Sequence, residues 1–200
     1  MDRCPWCGTD ELYVRYHDEE WGVPVHDDKK HFEFLVLESA QAVLNWITVL
    51  KKRENSRTAY DDFDVLKVAG YDEEKFQELM NNKGIIRNRL KIKASINNAK
   101  CFIKIQKEFG SFDNYIWSFT GYNQVVNHWK EIREIHAVSE LSHRVSKDLK
   151  KRGFSFLGST IIYAHLQATG IINDHLISCF RHMQIRSLSS NHKTTDSAVE

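Results

Sequence analysis

Glu38 is the first residue that asks for a chemical role. It follows Leu35, Val36 and Leu37, with Trp46 two turns further on. A carboxylate in such a run is either turned to water or, if buried, is paired, hydrogen-bonded or functional. Upstream, Trp6, Tyr13, Tyr16 and Trp21 crowd a short stretch. Aromatic walls around a single acid suit a flat cationic ligand such as an alkylated base. Periodicity alone leaves the solvent-facing reading of Glu38 equally open.

Metal-ligand chemistry is the second theme. His175 and Cys179 are four apart, and on a helix their Cβ atoms would lie about 5–6 Å from one another. Near the other end, Cys4 and Cys7 form a C-x2-C with His17 close by. By spacing, Cys4, Cys7, His175 and Cys179 would make a four-ligand set, with His17 as the rival for one place. A site closed by four protein ligands is structural rather than catalytic. His182, a turn beyond Cys179, is a weaker candidate.

The third theme is positive charge after a turn. Gly84-Ile85-Ile86-Arg87-Asn88-Arg89-Leu90-Lys91 sets a glycine before a helix whose start carries Arg87, Arg89 and Lys91. Cations at a helix N-terminus oppose the macrodipole. A phosphate would offset them, held by backbone N–H groups and the side chains together. Lys51-Lys52-Arg53 and Lys147-Asp148-Leu149-Lys150-Lys151-Arg152 are further basic clusters.

The elements that must position these residues read as helices. Only Pro5 and Pro24 interrupt a chain of 200 residues with nine glycines, and neither the regular turn clusters of a sandwich nor strand–helix alternation appears. An all-α fold is expected. Periodicity predicts helices over 28–50, 64–69, 72–80, 87–109, 111–119, 141–151, 160–168 and 174–182, with 121–140 weakly patterned. Residues 1–184 should form a single helical domain, and 185–200 a disordered polar tail. With 28 Lys plus Arg against 27 Asp plus Glu, the net charge is +1. That excludes a domain coating nucleic acid by overall charge, so any basic face comes from segregation. The apolar run 161–172 is too short to span a bilayer, and the four cysteines with no export signal read as free thiols or ligands. A cytoplasmic protein is expected.

Met1-Asp2-Arg3-Cys4, the stretch from Tyr16 to Pro24, Leu37-Glu38, the stretch from Trp46 to Asn55, Gly84 to Arg87, Trp117-Ser118-Phe119, Leu149 to Phe154 and Asn173-Asp174-His175 occur in order along the chain. Together they resemble the 3-methyladenine DNA glycosylase I family, a zinc-containing branch of the helix-hairpin-helix glycosylases. The resemblance implies that fold, with a structural zinc ion on Cys4, His17, His175 and Cys179 tying the two terminal segments together. Cys7 then becomes a bystander. It implies base recognition by Glu38, Tyr16 and Trp46, with Trp6, Tyr13 and Trp21 as pocket walls, and a DNA-binding hairpin over Gly84 to Arg89. Where the family carries Gln-Ala-Gly-Leu-Ser-Trp, this sequence reads Gln41-Ala42-Val43-Leu44-Asn45-Trp46. Val43 and Leu44 thus stand in the segment that probes the base stack, Val43 in place of a glycine.

The activity so implied is excision of 3-methyladenine from double-stranded alkylated DNA by a monomer. Hydrolysis would leave an abasic site and release the free base, with no lyase step. The superfamily's usual catalytic aspartate has no counterpart in the resemblance, which therefore names no general base; the catalytic candidates it implies are Glu38 and Tyr16. Two readings compete: a non-catalytic module that binds damaged DNA and keeps the structural zinc, and a metallohydrolase with three ligands and an open position on its zinc, against which a fourth protein ligand argues.

Overall fold

The computed structural model describes residues 2–41 and 44–191 of the chain. It is helical almost throughout, as the scarcity of proline suggested. A short 3-10 turn, Pro5–Cys7, leads into α1 (Glu11–Glu19), α2 (Asp28–Gln41), α3 (Trp46–Lys51), α4 (Arg53–Ala59), α5 (Val65–Ala69) and α6 (Glu73–Asn81). Then come α7 (Arg89–Phe109), α8 (Phe112–Ser118), α9 (Glu140–Lys151), α10 (Ser159–Ala168) and α11 (Phe180–Asn191). The sole departure from all-α among the described residues is a two-residue parallel pair, β1 (Val125–Val126) with β2 (Ile172–Asn173).

The architecture is organised around α2. Every residue from His31 to Ser39 is buried, which is how a helix covered on all sides reads. α7, α8 and α10 pack on it, with Phe32, Phe102 and Phe112 as aromatic contacts at ring distances of 5.4 Å and 4.2 Å along that series. Two carboxylates come inside with it, Glu33 and Glu38. Glu33 is neutralised by Arg53 Nε and Arg57 Nη2, each at 2.8 Å. Glu38 has no such partner.

Four sequence expectations are corrected. The helix expected over 28–50 stops at Gln41 and restarts at Trp46. In an unbroken helix Trp46 would lie about 12 Å along the axis from Glu38; the break lets α3 fold back so that both face one cavity. α1 was not anticipated, because its polar, aromatic-rich sequence has little apolar period; Asp10 caps it by accepting from the Leu12 N–H. The last helix begins at Phe180, not 174, so His175 and Cys179 lie in the turn before it. It also runs on through residue 191, where a tail from 185 was expected, and the fully buried Ile185 anchors it. Val43 lies outside the described residues.

Candidate active site and metal centre

The aromatic cluster of the N-terminal third encloses a cavity of about 290 Å³. Trp6 comes from the first turn, Tyr13 and Tyr16 from α1, Trp21 from the loop after it, Glu38 and Gln41 from the end of α2, and Trp46 from the start of α3. The far wall is built from Ile132, Ile135, and Ala164 and Gln167 of α10. Those four were not foreseen: 121–140 lacks a pattern, and Ala164 and Gln167 read as ordinary helical residues. The walls interlock through ring contacts, Trp6 with Trp21 at 4.9 Å, Trp6 with Tyr13 at 5.1 Å, and Tyr16 with Trp46 at 5.7 Å.

Glu38 is 3 % exposed, which dismisses the solvent-facing reading. Its Oε2 has no hydrogen-bond partner, and neither has the buried Nε1 of Trp46. Unpartnered buried polar atoms are costly, and here an acceptor and a donor border the same space. Burial pushes the Glu38 carboxyl up to about 8. The Tyr16 phenol is also raised, first by burial and then by the neighbouring Glu38. The cavity is thus a low-dielectric site with one ionisable acid and no compensating cation, an arrangement that rewards a positively charged guest.

On the other side of α1 the segment around Cys4 meets the turn that precedes α11. Ligand atoms of Cys4, His17, His175 and Cys179, all buried, lie within 4.8 Å of one another. Sulfur to nitrogen, the separations are 3.6 Å from Cys4 to His175 Nδ1, 3.4 Å from Cys179 to His17 Nε2 and 3.6 Å from Cys179 to His175 Nδ1. A tetrahedral ion bonded at about 2.3 Å to sulfur and 2.0–2.1 Å to nitrogen spaces such ligands about 3.5 Å apart. Each ring is oriented by its second nitrogen. His175 Nε2 donates to the Trp21 carbonyl at 2.9 Å, and His17 Nδ1 pairs with Asp18 at 2.7 Å. Arg3 in turn holds that carboxylate from two nitrogens. With the outer nitrogens so engaged, the inner ones face the two sulfurs unprotonated, His17 Nε2 also accepting from the Cys4 N–H at 3.3 Å. Cys7 stands apart, its thiol donating to the Cys4 carbonyl at 3.2 Å. His182 is also elsewhere, against the Asn127 carbonyl.

The basic segment resolves into residues with different surroundings. α6, the connection 82–88 and α7 form a tight helix–turn–helix. Asn82 accepts from the Gly84 N–H, and Asn88 caps α7 through the N–H groups of Leu90 and Lys91. A Cβ at Gly84 would come to 3.0 Å from Asn82 Oδ1 and 3.2 Å from the Asn55 side chain, so the turn packs closely on itself and on α4 at that point. Arg87 is exposed on the turn, while Arg89 lies over the Phe76 ring at 5.4 Å. Lys91 turns inward and donates to the Ala40 carbonyl at 3.0 Å; burial lowers its pKa. Leu44, 39 % exposed, sits in a bend just before α3 and is not among the residues that line the cavity. The Lys51-Lys52-Arg53 cluster is not a basic face, for Arg53 is buried between Glu20 and Glu33. Lys52 reaches across to the Lys83 and Gly84 carbonyls and braces the turn.

Comparison with known proteins agrees with this geometry. A family model described as methyladenine glycosylase matches residues 6–182. The chain is 46 % identical over 179 residues to DNA-3-methyladenine glycosylase 1 of Escherichia coli K12, covering 90 % of this chain and 96 % of that protein. A crystal structure of 3-methyladenine DNA glycosylase I superposes with a TM-score of 0.87 at 44 % identity, over 90 % of this chain and 98 % of the other. The Staphylococcus aureus 3-methyladenine DNA glycosylase I, whose structure addresses 3-methyladenine recognition, gives 0.87 at 35 % identity, over 90 % and 96 %. With matches of this extent spanning the cavity and the Cys/His centre alike, the chain belongs to the methyladenine glycosylase family.

Proposed function

We propose that this glycosylase excises 3-methyladenine from alkylated duplex DNA by hydrolysing its N-glycosidic bond, leaving an abasic site. The observation that carries the reading is the buried, unpartnered Glu38 carboxylate in an aromatic cavity of about 290 Å³. Neutral, solvated bases gain little from such a site, whereas a base made cationic by alkylation at N3 gains both stacking and charge.

Alkylation already weakens the bond to deoxyribose, so the leaving group needs no protonation. The work left to the protein is to hold the nucleotide outside the duplex, at a cost of about a few kcal/mol for unstacking. In this reading Trp46 stacks on the base, Glu38 accepts from its edge and favours its positive charge, and the Tyr16 hydroxyl orients it. Trp6, Tyr13 and Trp21 exclude water. Water then attacks C1′, and with no lysine in the cavity lining the product stays an intact abasic site.

DNA would be held by α6, the 82–88 connection and α7 acting as the helix-hairpin-helix, with Gly84 allowing close approach and Arg87 and Arg89 meeting phosphates. Leu44, and Val43 beside it, would fill the gap in the base stack. The Cys4, His17, His175 and Cys179 set would hold one structural zinc ion per chain, since four protein ligands leave no open position for catalysis. The reading includes a monomer working in the cytoplasm; among the described residues no helix is long and apolar enough to cross a membrane.

The test is release of base from methylated duplex DNA, resolved by chromatography, with Glu38→Gln alongside. Wild type should release 3-methyladenine, and the variant far less. Binding of the DNA with no release of base by wild type would overturn the enzyme in favour of a damage-binding module.

A further inference from the structure

Asp174 is fully buried, and no cation pairs with it. Instead its two oxygens accept four neutral donors. Asn127 Nδ2 and Trp129 Nε1 reach Oδ1 at 2.7 Å each, while Tyr163 Oη and Gln167 Nε2 reach Oδ2 at 2.6 Å and 2.7 Å. Oxygens that accept in this way dictate which end of a neighbouring carboxamide faces them. Gln167 must present its NH2 to Asp174, and its carbonyl oxygen is therefore turned the other way.

That other way is the cavity. Gln167 lies one turn after Ala164 on α10, and both line the aromatic pocket. Residues three apart share a helix face. Among the described residues the Gln167 side chain bonds through Nε2, which leaves the Oε1 lone pairs to whatever enters. The cavity thus offers two acceptors from different walls, Gln167 Oε1 and Glu38 Oε2. An exocyclic amino group carries two N–H donors and can satisfy both. A carbonyl at the same ring position would set lone pairs against lone pairs, and a buried polar group left facing its like is penalised steeply.

We propose that the Gln167 carbonyl, oriented by Asp174, is a specificity-determining acceptor that selects alkylated purines with a 6-amino group over those with a 6-oxo group. The inference rests on the glycosylase reading above and names the chemical class its pocket accepts. Asp174 is a positioning residue: it does not border the cavity, and it acts by denying Gln167 the flipped orientation.

The experiment measures affinity for free 3-methyladenine and for 3-methylhypoxanthine, its 6-oxo counterpart, by quenching of tryptophan fluorescence. The proteins are wild type, Gln167→Met and Asp174→Asn. Wild type should prefer the amino base by about tenfold or more, and Gln167→Met should cut that ratio to about two- to threefold by weakening 3-methyladenine alone. Asp174→Asn can donate to Gln167 Oε1 and release the carboxamide to turn over, so the ratio should fall there too. A merely structural role would lower the melting temperature and leave the ratio where it was. An unchanged ratio in folded Gln167→Met overturns the assignment. So does a wild type that binds both bases equally, a result that needs no variant. Base release from methylated duplex DNA is followed in parallel. A wild type that releases no base and binds neither compound refutes the glycosylase reading itself, whereas an active wild type with an unaltered ratio refutes the role of Gln167 alone.

Discussion

Tyr16 and His17 are consecutive on α1, yet Tyr16 faces the aromatic cavity and His17 the Cys/His centre. A second link runs through Trp21, whose ring lines the cavity while its carbonyl accepts from His175 Nε2 and its ring meets that imidazole at 4.6 Å. Two adjacent residues and one loop therefore tie the geometry of the base pocket to whatever fills the centre behind it.

A metal held by these four residues would brace the pocket as well as the two terminal segments. Chelation, or Cys4→Ser or His17→Ala, is expected to lower the melting temperature by about 10 °C or more and to weaken 3-methyladenine binding in the same samples. Cys7→Ser should change neither, because its thiol lies outside the four-ligand set. Elemental analysis showing one zinc per wild-type chain and none in His17→Ala checks the assignment directly. Full base affinity in metal-free protein would contradict the coupling.

Glu38 should govern the pH dependence of activity. Burial raises its pKa to about 8, so the ionised form that favours a cationic base grows as pH climbs towards that value. The expected profile of kcat/KM rises about tenfold per pH unit below 8 and levels above it. Glu38→Gln should lack the limb. Stability should move oppositely: unfolded Glu38 ionises near its ordinary 4.5 while folded Glu38 holds its proton, so wild type loses stability as pH rises from about 4.5 to 8. Glu38→Gln should gain on wild type by about 5 kcal/mol across that window. Denaturant melts at pH 5 and pH 9 read the difference.

Trp46 combines a stacking face with an unpartnered N–H. Trp46→Leu should cost about 10- to 100-fold in base affinity, matching 1–3 kcal/mol for one stacked base. Trp46→Phe keeps a ring and should lose less. Equal losses in the two variants, measured by calorimetry with free base, would assign the effect to cavity shape instead.

On the hairpin, the exposed Arg87 and the inward Lys91 should part company. Arg87→Ala is expected to weaken duplex binding and to reduce the slope of log K against log salt by about one. Lys91→Ala should leave the slope alone and cost stability, since its ammonium is engaged by the Ala40 carbonyl. Binding isotherms at several salt concentrations separate the two.

Glu33 is the counterpart of Glu38 with opposite sign. Burial works to raise its pKa, but hydrogen bonds and charge from Arg53, with Lys30 and Arg57, outweigh it and hold the carboxyl down at about 2. Its stabilisation is complete above about 4.5 and drains away as pH falls towards 2, a span worth about 3 kcal/mol. Glu33→Gln should lose a similar amount at pH 7 and flatten the acid limb of the melting curve. An acid limb that survives this change would assign acid unfolding to other carboxylates.

Much of this molecule was written locally. The long apolar period of 87–109 became α7, the Asn88 cap and the glycine before it framed the turn, and the aromatic stretch from Trp6 to Trp21 announced a walled site around Glu38. Helical period, caps and residue types are properties of neighbours in the chain, so they are legible without a fold. Tertiary structure decided what depends on distant partners. It broke the helix between Gln41 and Trp46 so that the acid and the indole face one cavity. It buried Glu38 without a cation while giving Glu33 three, Arg53, Arg57 and Lys30. It brought His17 rather than Cys7 to Cys179, in a turn and not a helix, and it joined Ala164 and Gln167 to a pocket whose first residue, Trp6, stands more than 150 residues earlier. Burial and charge pairing arise only when segments far apart in sequence close on one another, and those are the quantities that set a carboxylate's pKa and turn a run of aromatics into a binding site.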